Sequence, residues 1–244
     1  MKRRMLPMMS SGGAAVWTPL NLPNLYAWYD FSDISTLFQD AGRTTPVTTD
    51  GNPIGGVADK SGNGRHVSQA TTSAMPTYKT NIYNGKSIGR GDGGDRLNAT
   101  LTAQSSWTIY AVAKRLSLSP SAVARVWNIG TNAKLNLFDY SGMGDWGFYN
   151  NLTQIGGDPS TLTIITVQVQ SGSGAGYINN GSSVALSPVT FNAETALYLF
   201  GSSEAATERL NGDIGEIVIC NGYGDASDRS SVLAYMNPKW AVYA

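Results

Sequence analysis

The chain of 244 residues is short of reactive side chains: it holds one histidine (His66), one cysteine (Cys220) and four glutamates (Glu194, Glu204, Glu208 and Glu216). A single cysteine makes an intramolecular disulfide impossible, and one histidine beside one cysteine excludes a zinc site of the usual Cys/His kind. Charge is scarce too. Charged residues are 14% of the chain, 17 basic against 17 acidic, where soluble domains carry about 25%. With Lys2-Arg3-Arg4 as the one dense basic run, there is no field to hold a phosphate backbone, and no nucleic-acid partner is expected. No apolar stretch approaches the roughly 20 residues of a membrane-spanning helix, so the chain reads as soluble, without membrane insertion. After Lys2-Arg3-Arg4 the apolar run is only Met5-Leu6 before Pro7, and Met8-Met9 is ended at once by Ser10-Ser11-Gly12-Gly13. The hydrophobic core of a secretion signal is missing.

What is abundant is glycine, 28 residues, together with serine, threonine and asparagine, the profile of a turn-rich β protein. Breaks rich in Pro, Gly and Ser recur from end to end and no single linker divides the chain. The simplest partition is an N-terminal arm, residues 1–24, and one domain, residues 25–244. A terminus of the arm's composition frays unless tied down, so Met5, Leu6, Met8, Met9 and Trp17 are expected to pack against a partner subunit. Folding back onto its own domain is the alternative.

Alternation marks the strands. In Trp107–Lys114, Trp107, Ile109, Ala111 and Ala113 share one face and Thr108, Tyr110 and Val112 the other, as in a strand with both faces partly covered. The segments 123–129, 135–140, 146–150, 162–169, 197–200 and 214–220 read the same way, which implies a sandwich. Asn180-Gly181 is a hairpin signal, because both residues accept the positive φ of a tight turn. One helix is expected near the C-terminus. Asp225 or Asp228 would cap it, Val232, Leu233, Tyr235 and Met236 would form its apolar stripe, and Pro238 would stop it after about three turns. Trp240 beyond it would anchor the end.

Four segments, in order, resemble the concanavalin A-like, laminin G-like jelly rolls of phage and prophage virion proteins. Leu22-Pro23-Asn24-Leu25-Tyr26-Ala27-Trp28-Tyr29-Asp30 is similar to the opening strand of that family, and Asp59-Lys60-Ser61-Gly62-Asn63-Gly64 to its characteristic turn. Asn84-Gly85 through Asp92-Gly93-Gly94-Asp95-Arg96-Leu97 is similar to a third element, with one aspartate of the pattern replaced by Gly94. Gly212-Asp213-Ile214-Gly215-Glu216-Ile217-Val218-Ile219 is similar to the closing strand. The resemblance implies an all-β fold: a jelly-roll sandwich of two antiparallel sheets with one short C-terminal helix. Lectins, adhesion modules, glucanases and capsid or tail components all use this fold, so function has to come from site chemistry.

Glucanases of the fold carry Glu-x-Asp-x-Glu on one strand, where a period of two brings the carboxylates to one face. Here the close acid pairs, Asp30/Asp33, Asp92/Asp95, Asp213/Glu216 and Asp225/Asp228, are all three apart, which on a strand sends them to opposite faces. On that ground the chain is expected not to be an enzyme, although acids from different strands can converge; Glu216 is the acid such a hydrolase would use. His66 in its glycine-rich turn reads as a solvated loop residue, and Cys220 as a small core residue. Calcium is the one cofactor raised, through Asp59, Asn63, Asp92, Asp95 and Asp213 in Gly-rich turns. The competing reading has each acid capping its own turn. For sugars, Trp146, Tyr149 and Tyr223 are the candidate stacking platforms, although Trp146 and Phe148 at a spacing of two also fit one buried face. The leading expectation is a phage virion component, either a head decoration or fibre subunit or a tail-associated adhesin. It would be bound through its arm to other virion proteins or to copies of itself. A carbohydrate-binding module for host-surface glycans is the alternative, and a glycoside hydrolase of the same fold the third.

Overall fold

The structure, a computed structural model, describes residues 16–117, 123–130, 135–140, 144–148, 153–186, 194–202 and 208–244. The strands in chain order are β1 (Leu25–Asp30), β2 (Leu37–Phe38), β3 (Gly56–Val57), β4 (Val67–Ser68), β5 (Thr77–Tyr83), β6 (Lys86–Asp92), β7 (Leu97–Thr100), β8 (Ser106–Ser117) and β9 (Val123–Ile129). They continue with β10 (Leu135–Tyr140), β11 (Trp146–Phe148), β12 (Thr153–Gly156), β13 (Thr163–Gln170), β14 (Ser173–Ile178), β15 (Val184–Leu186), β16 (Ala196–Leu199) and β17 (Asn211–Asn221), followed by helix α1 (Ala226–Trp240). Two antiparallel sheets result. The first runs β15-β14-β13-β8-β17-β6-β5, with β1 also on β17; the second runs β12-β11-β10-β9-β16-β7-β4-β3-β2. This is the expected all-β sandwich of two antiparallel sheets with one C-terminal helix.

Side-chain alternation along β8 explains why the first sheet is covered twice. Trp107, Ile109, Ala111 and Ala113 enter the core between the sheets. Tyr110 and Val112 enter a second core beneath α1, with Trp28, Ile88, Ile164, Val218, Val232, Leu233, Met236 and Trp240. The central strand β17 is buried from Gly212 to Cys220, so its near-continuous apolar run reflects two covered faces rather than one.

Two local expectations shift. A β14–β15 hairpin does span Asn180-Gly181, but the positive φ falls on Asn179 (51°), and residues 179–183 form a longer connection. The tight turn belongs to Asn84 and Gly85, with φ of 47° and 70° between paired Tyr83 and Lys86, the left-handed geometry of a two-residue hairpin loop. Helix α1 does not stop at Pro238. It continues to Trp240, with Asp225 as N-cap and Ala241 left-handed at its end. A proline this close to the C-terminus forfeits one backbone bond, and side chains from elsewhere hold the last turn: Asn84 Nδ2 donates to the carbonyls of Pro238 and Lys239 at 3.1 and 3.0 Å.

The final turn is fastened to the sheet by a buried polar node. The Glu216 carboxylate receives Trp28 Nε1 at 2.7 Å, Tyr235 OH at 2.9 Å, Lys239 Nζ at 2.8 Å and Trp240 Nε1 at 2.9 Å. Lys239 Nζ also reaches Asp30 Oδ2 at 2.9 Å, which Lys60 Nζ meets at 3.0 Å. Burial works to raise the pKa of Asp30, but Lys239 and Lys60 outweigh it and hold the carboxyl below the ordinary range. Gly215 makes room for the node, since a Cβ there would lie 2.7 Å from the Trp240 ring. Glu216 has 0% exposure, so its use as a hydrolase acid is corrected: it lies under the helix, out of a substrate's reach.

Removing one partner of a buried ion pair strands the other. Lys239→Met is expected to cost about 3–5 kcal/mol of unfolding free energy, read from urea midpoints. Lys79→Met, which faces the exposed Asp50 at 2.6 Å, is expected to leave the midpoint nearly unchanged. Equal midpoints for the two variants would show that the node carries no stability.

Candidate functional site: a tyrosine cleft at the helix N-terminus

Helix α1 covers only part of the outer face of the first sheet. On that outer face two cross-strand rows run across β8, β13 and β14: Tyr110, Thr166 and Tyr177, then Thr108, Gln168 and Ala175, all buried except the half-buried Tyr177. These side chains point away from the inter-sheet core because their strand neighbours, such as Val167, fill it. The connection from β17 to α1 arches over them. Gly222 turns it with φ 119°, and Thr108 Oγ1 both donates to the Gly222 carbonyl at 2.8 Å and accepts from Gly224 N at 2.7 Å. Gln168 Nε2 donates to the Gly224 carbonyl at 2.8 Å.

Tyr223 stands between those pinned glycines, 41% exposed. Together with Gln168, Tyr177, Gly224, Asp225, Ala226 and Arg229 it lines a cleft of about 450 Å³. Burial, then the nearby Tyr177, push the Tyr223 phenol above its ordinary pKa, so it is a neutral hydroxyl at physiological pH. Arg229 lies over the Tyr177 ring, 4.2 Å from its centroid, and its Nη2 donates to the carbonyls of Asn179 at 2.9 Å and Gly181 at 3.1 Å. The arginine thereby joins the helix, the β14 ring and the β14–β15 connection into one wall. Asp225 Oδ1 accepts from Asp228 N at 2.8 Å and Ser227 Oγ at 2.7 Å, a helix cap.

The other candidate residues fare differently. Trp146 is corrected: it has 0% exposure and belongs to the inter-sheet core, because its partners on β10 and β12 place it on the inner face. Tyr149 lies outside the described residues, as do Met5, Leu6, Met8 and Met9 of the arm. Trp17 is half-buried on the chain's own helix, its ring 6.0 Å from that of Tyr235. Of the sugar-platform candidates among the described residues, Tyr223 lines the cleft. Tyr177, Gln168 and Arg229 are additions; their signal was polar or aromatic residues on the face of a strand or helix turned away from the apolar stripe.

The turn acids have their own work. Asp59 accepts from Trp28 N, Ser61 N, Ser61 Oγ and Arg65 N at 2.8–3.0 Å, while Asn63 Nδ2 ties the turn to the carbonyls of Leu25 and Tyr26. His66 is half-buried rather than fully solvated, and its Nδ1 accepts from Asp59 N at 3.0 Å. Asp213 is held by Arg90 through two bonds of 2.6 and 2.8 Å and by Tyr83 OH at 2.6 Å. Among the described residues no group of three His, Cys, Asp or Glu side chains is placed to share a metal ion. Asp92 accepts from Gly94 N, and Asp95 from Asp92 N.

By sequence, no protein family and no curated protein matches the chain. By structure, it is similar to Trypanosoma rangeli sialidase in complex with sialic acid, at 12% identity and a TM-score of 0.59, over 90% of this chain and 34% of the sialidase. It is similar to an α-L-arabinofuranosidase at 18% identity and a TM-score of 0.54, over 79% of this chain and 52% of that one. It is also similar to the ligand-binding domain of botulinum neurotoxin serotype D in complex with N-acetylneuraminic acid, at 16% identity and a TM-score of 0.51, over 74% of this chain and 48% of that one. The fold is shared. The chain spans about a third of the sialidase's length and about half of the other two. One expectation is corrected by these neighbours. Glycoside hydrolases carry this sandwich, so the reading of the chain as not an enzyme is withdrawn; the odd spacing of its acids removes one arrangement of carboxylates and no more.

Burial first, and then the charge of Asp92, push the Asp95 pKa up to about 7. Its folded-state pKa therefore lies above the unfolded value of about 3.9, the native state binds more protons between the two, and this contribution to stability is lost as pH rises toward 7. Asp95→Asn, which keeps an acceptor for Asp92 N, is expected to gain in melting temperature relative to the parent between pH 5 and pH 8. A difference that is flat or falls with pH would contradict the assignment.

Proposed function

We propose that the chain is a glycan-binding jelly roll carried on a phage virion, with the Tyr177–Tyr223 cleft as its sugar site. The cleft is the observation that carries this reading. An exposed tyrosine ring is held between two pinned glycines, beside a second tyrosine and the Gln168 amide, in a volume of about 450 Å³ that falls within the roughly 300–1,000 Å³ of small-molecule sites. Aromatic rings offer apolar area with little conformational freedom to lose, and their hydroxyls and the neighbouring amide supply directed hydrogen bonds. The sugars named with the structural neighbours, sialic acid and N-acetylneuraminic acid, support a carbohydrate reading of the fold. The virion setting is supported by the four sequence segments that resemble phage jelly rolls and by the apolar residues Met5, Leu6, Met8 and Met9. Other virion proteins and further copies of the chain would then be its partners, and host-surface glycans its ligands.

A glycan array probed with the isolated protein, with and without calcium, is expected to give saturable binding that Tyr223→Ala weakens about tenfold or more without lowering the melting temperature. A blank array, or affinity untouched in Tyr223→Ala, would defeat the sugar site. Trp146→Ala is no substitute for that variant, since truncating a core tryptophan costs about 3–5 kcal/mol and tests folding. Deleting residues 2–16 is expected to abolish incorporation into particles while the domain still melts cooperatively; normal incorporation would defeat the virion setting.

A further inference from the structure

We infer that the cleft selects neutral sugars and discriminates against carboxylated ones; this rests on the sugar-site reading above. The charges around the cleft are few. Asp225 lines it, Asp228 stands one turn further along α1, and Arg229 is the one cation among its lining residues. Hydrogen bonds from Asp228 N and Ser227 Oγ keep Asp225 ionised by lowering its pKa. Among the described lining residues the balance is one carboxylate to one guanidinium.

Neither of the usual ways of capturing a carboxylate is open. A helix N-terminus attracts anions through its unpaired N–H groups, but at α1 the Asp225 carboxylate already accepts from Asp228 N at 2.8 Å, so the protein's own anion fills that position. An arginine grips a carboxylate by a planar fork of two N–H groups. Arg229 spends Nη2 on the carbonyls of Asn179 and Gly181, its Nε is buried without a hydrogen-bond partner among the described residues, and its plane faces the Tyr177 ring. What the cleft offers a ligand is uncharged: the Tyr223 ring and hydroxyl, the edge of Tyr177 and the Gln168 amide. An acidic sugar seated there would meet Asp225 while the lining cation, Arg229, is engaged with the Asn179 and Gly181 carbonyls and the Tyr177 ring, whereas a neutral one meets no such repulsion.

Matched pairs test this by calorimetry on the whole chain at low salt: lactose against 3′-sialyllactose, glucose against glucuronic acid, and galactose against galacturonic acid. The neutral member of any pair that binds is expected to bind about fivefold or more tightly than its acidic partner. That gap is expected to narrow in 0.5 M salt and in Asp225→Asn, which keeps a good helix cap. Equal or tighter binding of the acidic members, in a cleft where Tyr223→Ala still weakens binding, would overturn the selectivity and leave the sugar site standing. A gap unchanged in Asp225→Asn would overturn the role given to that residue. Absence of binding by every member of every pair, with a blank array, would remove the sugar site and the selectivity together.

Discussion

The carboxylate of Glu216, taken wholly out of water, is tolerable only while Trp28, Tyr235, Lys239 and Trp240 all donate to it. Removing an ion from water costs several kcal/mol even after relaxation, and the cost is offset only when its lone pairs are filled and an opposite charge lies close. Four donors fill the four acceptor sites of a carboxylate. They come from β1, from two successive turns of α1 and from its last residue, so the sheet and the helix have one relative position at which the node closes. Shifting α1 by a turn would take the Trp240 indole, the Tyr235 phenol and the Lys239 ammonium away from that acceptor and leave it with Trp28 alone. The apolar contacts of Val232, Leu233 and Met236 stabilise the helix on the sheet, but by themselves they tolerate sliding; the node is directional. By fixing the C-terminal end of α1, it also fixes where the N-terminal end and the loop carrying Tyr223 come to rest.

The segments that resembled phage jelly rolls meet around this node and its neighbour. Trp28 and Asp30 lie on β1, and the Asp59 turn grips β1 through Trp28 N and positions Lys60 beside Asp30. Glu216 lies on β17. Arg90 from the third segment closes on Asp213 from the fourth, a bidentate pair across β6 and β17 whose carboxylate has 0% exposure. Residues far apart in the chain are therefore joined by a few buried charges, each costly if unpaired. The motifs are the parts of the sequence that cannot vary independently of one another.

Much of the fold was legible because strand alternation is a local property. Trp107, Ile109, Ala111 and Ala113 could be assigned to one face of β8 without knowing what covered it, and the apolar run in β17 announced two covered faces. Trp146 was not legible in the same way: a tryptophan followed two residues later by a phenylalanine fits an inner face or an exposed platform, and only its neighbours β10 and β12 decide between them. Pro238 reads locally as a stop, yet Asn84, from a hairpin turn far earlier in the chain, caps the last carbonyls of the helix. The cleft was half legible. Tyr223 between two glycines marked itself as exposed, whereas Tyr177, Gln168 and Arg229 belong to three different elements and come together only once α1 is seated.

The shortage of reactive side chains acquires a physical meaning at this level. Asp30, Asp59, Asp213 and Glu216, which in sequence could be read as catalytic or calcium-binding acids, are spent on the interior, where each holds two or more elements together. The cleft itself presents little free charge. Its walls are aromatic rings and an amide, its arginine is turned to backbone carbonyls, and its aspartate is occupied by the helix it caps. On the proposed sugar reading, recognition at such a surface would run on stacking and directed hydrogen bonds, whose strength depends little on salt, rather than on long-range fields. The arithmetic that argued against nucleic acid and zinc in the sequence thus bears on the proposed site as well: the same economy of charge is in keeping with an uncharged, hydroxyl-rich ligand.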